Sequence, residues 1–114
     1  MIEVDILQYL MTELGSDNVC LEIPKDMPSE FVVFQIVDRS RENLIDAVTV
    51  RFWSYAKTKA EAAVLDAKVR GAMQDFDDRP NISRSKMDGG RDDYDTSLKR
   101  YRYQCYFNIT YMEG

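Results

Sequence analysis

Histidine is missing altogether from this 114-residue chain. Without an imidazole, no Ser-His or Cys-His pair can activate a nucleophile. Glycine is scarce, at five, and no glycine-rich loop opens a helix, the arrangement in which backbone N–H groups cradle phosphate. There are only two cysteines, Cys20 and Cys105, far apart in apolar stretches, so buried free thiols are expected rather than a disulfide or a metal pair. Positive charge is not in excess: 15 Lys and Arg stand against 20 Asp and Glu, a formal charge of −5, with no clustered basic face. Nucleic-acid binding driven by neutralising phosphates is therefore not expected. No apolar run approaches membrane-spanning length, and residues 1–11 carry Glu3 and Asp5 where a secretory leader needs Lys or Arg. A cytoplasmic chain with no membrane partner is the expectation. The sequon Asn108-Ile109-Thr110 falls inside a strand pattern and is read as chance.

What is present is an ordinary globular composition, 45% hydrophobic and 31% charged. A chain of this length forms one domain, burying roughly 65% of its unfolded surface. Ile6, Leu7, Leu10 and Leu14 recur at three and four residues ahead of Gly15, which predicts a helix over 2–14. A short strand at 18–23 ends before Pro24 and Pro28. FVVFQIVD at 31–38 and NLIDAVTVRFWSY at 43–55 read as an antiparallel hairpin with a charged turn at 39–42. Thr58 with Glu61 forms a capping box opening a second helix to 76. Its buried stripe is Ala62, Leu65, Val69, Ala72 and Phe76, with Glu61, Asp66, Lys68 and Arg70 facing water.

The polar stretch 77–100 reads as a weak strand at 81–87, then a mobile loop at 88–95 turning on Asp88-Gly89-Gly90. As a whole, 77–96 is expected to be loop-like. The long final strand spans 97–112. The fold class expected is α+β, a single domain over 1–114 in the order helix, three strands, helix, two strands, with a mostly antiparallel sheet and the helices on one face.

Strand parity sharpens that picture. In YRYQCYFNITY, residues 101–111, Tyr101, Tyr103, Cys105, Phe107, Ile109 and Tyr111 share the core face, while Arg102, Gln104, Tyr106, Asn108 and Thr110 share the other. In the middle strands Phe31, Val33 and Val37 oppose Val32, Phe34 and Ile36. Leu44, Val48, Val50 and Phe52 oppose Ile45, Ala47, Trp53 and Tyr55. Apolar side chains thus lie on both faces, and two short helices cover only one. The second face is expected to be covered by the polar loop or, better, by a neighbouring subunit.

Acidic residues cluster at Asp75, Asp77 and Asp78 and again at Asp88, Asp92, Asp93 and Asp95. Their spacing, broken by Arg91, does not match a calcium loop. No pocket signature accompanies them. No catalytic residue, metal site or cofactor is expected, and no enzyme.

AVTVRFWSYAKTKAEAAVLDAKVRGAM (47–73) runs from a V-x-V-x-x-W strand through a polar turn into an alanine-rich helix. With DDYDTSLKRYRYQCYFNITY (92–111), a charged segment leading into an aromatic strand, it resembles the tail terminator and tail completion proteins of long-tailed bacteriophages. The resemblance implies a ring, commonly a hexamer and in some cases closing only on a template, that caps the tail tube, stops its growth and offers a surface to the head connector. It also implies a place in the virion neck, after assembly in the bacterial cytoplasm. By position, Arg51, Trp53, Tyr55 and Tyr106 would lie at subunit contacts. Asp77, Asp78, Arg79, Asp88, Arg91, Asp92, Asp93 and Asp95 would form a docking or lumen loop. Two alternatives stand beside this: another neck component, such as a head completion or minor capsid protein, and an acidic inhibitor that mimics DNA.

Overall fold

A computed structural model describes residues 1–112. Helix α1 (Ile2–Leu14) buries Ile2, Ile6 and Leu10 along one stripe. It stops where Gly15 takes the left-handed conformation, at φ 62°. The Gly15 and Ser16 N–H groups then donate to the Thr12 and Met11 carbonyls, so the last turn of the helix leaves few acceptors unpaired. Five strands follow in one sheet: β1 (Val19–Cys20), β2 (Glu30–Glu42), β3 (Ile45–Ala56), β4 (Ile82–Asp95) and β5 (Arg100–Tyr111). Helix α2 (Lys59–Gln74) and a short 3-10 turn (Phe76–Asp78) lie between β3 and β4. The Thr58 hydroxyl accepts the Glu61 N–H at 3.2 Å and caps α2 as its sequence predicts.

The spatial order is β1-β2-β3-β5-β4. All neighbours are antiparallel except β1, which runs parallel to β2. The domain is α+β, and its two most aromatic strands, β3 and β5, are central. Both helices pack on one face. Ile6 and Leu10 of α1 and Leu65, Val69 and Met73 of α2 meet Val32, Phe34, Val50, Phe52, Phe107 and Ile109 in one cluster. Burial of each large member stabilises the fold by about 1.5–3 kcal/mol before entropy. Tyr9 Oη donates to the Ala72 carbonyl at 2.6 Å and ties the two helices together.

Several boundaries differ from the sequence expectation. The β2–β3 turn is Asn43-Leu44, both at positive φ, and not 39–42. Arg39 to Glu42 include neither Gly nor Asn, the residues that accept such a turn, so β2 runs on until Asn43. Leu44 accordingly leaves the core face and is exposed. A register shift between Ile36 and Asp38 turns Val37 out of the sheet. The segment 88–95 is strand, not loop: β4 pairs with β5 from Ile82 to Asp95, with an irregularity between Met87 and Gly89. Gly89, at φ 131°, serves a bulge and not a reversal. The reversal falls between β4 and β5, where Asp95 Oδ1 accepts the Ser97 and Leu98 N–H groups. Strand β1 is two residues long. Phe76 is buried but belongs to the 3-10 turn. Asp66, placed in water by its charge, has no exposed surface.

A candidate subunit-contact face

On the face opposite the helices, β3 and β5 set their side chains in cross-strand rows. Tyr55 pairs with Phe31 and Arg102, Trp53 with Val33 and Gln104, and Arg51 with Gln35 and Tyr106. The first two rows make a small second core of Phe31, Val33 and Tyr55. Cys20, Met27, Trp53 and Leu98 pack against it. Phe31 and Tyr55 stack with centroids 4.7 Å apart and planes within 9°. No helix residue belongs to this cluster. Its cover comes from the segment before β2 (Met27) and the β4–β5 turn (Leu98), and Trp53 stays only half-buried.

Arg51, Trp53, Tyr55 and Tyr106, picked from the sequence as contact residues, are brought together here. The Arg51 guanidinium lies 5.1 Å from the Trp53 ring centroid and 4.8 Å from that of Tyr106. The rings hold it by their negative faces. It has no carboxylate partner among the described residues, and its buried Nε has no hydrogen-bond acceptor. Beside it, the buried Gln104 leaves its Oε1 unpaired while its Nε2 donates to Asp93 at 3.0 Å.

A polar brace closes one end of the face. Arg102 donates to both Asp93 oxygens, at 2.6 and 3.2 Å, and to Tyr55 Oη at 3.1 Å. It also reaches Asp95 Oδ2 at 3.4 Å. The Asp93 hydrogen bond holds the Arg102 pKa above its usual value. Burial pushes Asp95 up, but hydrogen bonds from Ser97 and Leu98 and the Arg102 charge outweigh it, leaving Asp95 below the ordinary carboxylate value. Burial likewise raises the Tyr55 hydroxyl. Above the brace, Leu21, Glu22, Ile23, Val33, Trp53 and Tyr55 line an open groove of about 460 Å³. Leu21 and Ile23 on its rim are exposed. Sequence reading missed this brace and rim, although Arg102 and Asp93 were visible as opposite charges near the strand ends.

The acidic docking set is not brought together. Asp77, Asp78 and Arg79 sit before β4, and Arg79 lies over the Tyr9 and Phe76 rings at 5.8 and 5.9 Å. Asp92, Asp93 and Asp95 are at the far end of the same strand, with Asp88 and Arg91 exposed between. Asp92 pairs with Lys59 at 3.1 Å. Because β4 is extended, the two acidic groups stand roughly 40 Å apart at the rise of a strand.

Among the described residues, no group of three or more Cys, Asp or Glu could hold a metal ion, and Cys20 and Cys105 are free. Burial pushes the Cys105 thiol up to about 12 and also raises that of Cys20. No helix of the described residues is long and apolar enough to cross a membrane. In comparisons with known proteins, no family model matches the chain and no curated protein matches it.

Proposed function

We propose that this chain is a structural subunit that assembles through the outer face of its sheet into a ring. The ring caps the tail tube of a long-tailed bacteriophage, ends tube growth and joins the tail to the head connector. One observation carries the reading: both helices lie on one face, while the other bears a second apolar cluster with a half-buried Trp53 and an Arg51 that has no carboxylate partner among the described residues. Tryptophan, tyrosine and arginine are the residues that protein interfaces concentrate. The likeness of 47–73 and 92–111 to tail terminators supplies the tail as the setting. The DNA-mimic alternative fits less well, because Asp92, Asp93 and Asp95 are paired with the chain's own Lys59 and Arg102 instead of forming a free acidic face.

Negative-stain electron microscopy of the concentrated protein, alone and with polymerising tail tubes, tests this. Rings seated on one tube end, with tubes of limited length, are expected. Tubes that grow and end as they do without the protein would overturn the tail reading.

A further inference from the structure

The groove lies at one end of the sheet and the β2–β3 hairpin tip at the other. Asn43 and Leu44 have φ of 51° and 67°, the pattern of a two-residue hairpin turn that ordinarily takes glycine second. Leucine disfavours that conformation, and here it gains nothing inside its own chain: Leu44 is 69% exposed. Next to it, the cross-strand pair Glu42 and Ile45 faces the outer side of the sheet, and Ile45 is 42% exposed. Glu42 has no cation partner among the described residues. The tip therefore carries exposed apolar groups and an unpaired acid. At the other end waits a groove whose apolar wall is Leu21, Ile23, Val33 and Trp53, with Glu22, Gln35, Asp95 and Arg102 around it. Next to it across Trp53 is a guanidinium held between two rings, with no carboxylate partner among the described residues.

The tip and groove of one chain cannot meet. From Leu44 to Trp53 is nine residues of strand, roughly 30 Å. We infer that the hairpin tip of one copy seats in the outer-face groove of the next, Leu44 entering between Leu21, Ile23, Val33 and Trp53 while the Glu42 carboxylate meets the Arg51 guanidinium. Tip and groove are different surfaces, so the contact is heterologous and repeats head to tail, closing as a ring if the rotation permits. This names the partner of the face assigned above and rests on that reading.

Sedimentation equilibrium on the full chain, over a concentration series reaching the millimolar range, tests the contact. Leu44→Gly suits the turn better than leucine, so it should melt at or above the wild type while its self-dissociation constant rises at least about tenfold. Glu42→Arg and Arg51→Glu should each weaken association by a similar factor. Mixed together they should regain higher assembly by alternating, since each variant's tip then meets the opposite charge on the other's face. The double variant E42R/R51E should regain higher assembly. Circular dichroism checks that each is folded.

Folded Leu44→Gly that assembles like the wild type, or a folded double variant that does not recover, would overturn the contact. If Leu44→Gly still forms rings that cap tubes, the contact alone is wrong and the tail reading stands. If the swap behaves as expected but no tube is ever capped, the contact stands and the tail reading falls. A wild type that stays monomeric throughout, with and without tubes, refutes both.

Discussion

Asp66 lies on the buried side of α2 with no exposed surface, and its cation, Arg70, reaches it from one turn further along the helix. One carboxylate oxygen takes the Arg70 donors, and the buried Cys105 thiol is the other group that lies against the carboxylate. Desolvation raises the Asp66 pKa more than Arg70 lowers it. A raised carboxyl pKa means that the folded state holds the proton more tightly than the unfolded one. The resulting penalty is absent below pH of about 4 and grows as pH climbs through the folded value. Asp66→Asn should therefore flatten the loss of stability above that pH. At pH 7 it should be as stable as the wild type or more so by about 1 kcal/mol, since the freed Arg70 is partly solvated. Urea unfolding from pH 4 to 7 checks it, and a variant weaker by 2 kcal/mol would contradict it. The helical stripe 62-65-66-69-73 contains this position, so its burial was legible from spacing; the charge argued the other way.

At the same scale, Trp53 is half-buried in its own chain. Trp53→Ala should cost the dilute monomer about 1–2 kcal/mol, less than the roughly 3–5 kcal/mol of a fully enclosed aromatic, while self-association is lost. Denaturant unfolding alongside sedimentation separates the two. A loss above 4 kcal/mol with assembly intact would make Trp53 purely a core residue.

Among the elements, the two helices were legible because each buries one stripe at a clean period, and the central strands because β-branched and aromatic residues run along both of their faces. Strand β4 was not. Its only sheet partner is β5, most of its residues are exposed, and its Asp88-Gly89-Gly90 looks like turn chemistry. What holds it extended is long-range: the backbone ladder to β5 along its length, with Asp93 meeting Arg102 on β5 and Asp92 meeting Lys59 on α2 as side-chain additions. These partners cannot be seen from local sequence. Gly90 has its own reason to be glycine, since a Cβ there would come within 2.6 Å of the Gln104 carbonyl oxygen. Gly90→Ala should push β4 off β5 and cost about 1–3 kcal/mol in denaturant unfolding, whereas a surface loop would tolerate it within about 0.5 kcal/mol. The hairpin turn was misplaced for a related reason: Leu44 is a residue that turn rules do not select.

For the whole molecule, parity along β2, β3 and β5 foretold a sheet apolar on both sides, and that survives in the two separate clusters. It also foretold that Trp53 points away from the helices. The grouping of the acids did not survive, because a loop compresses sequence neighbours in space and a strand spreads them along its length. The groove was out of reach of pattern reading, since its rim at Leu21 and Ile23 comes from a segment without regular structure that folds back beside β2.

The central claim is that the outer face of the sheet is where subunits meet. Hydroxyl-radical footprinting read by mass spectrometry, at concentrations below and above assembly, tests it most directly. Trp53, Tyr106, Leu21 and Ile23 should be oxidised in the free chain and protected on assembly, with Val64 on the exposed side of α2 unchanged. Oxidation of the outer face that stays constant while Val64 becomes protected would contradict the account.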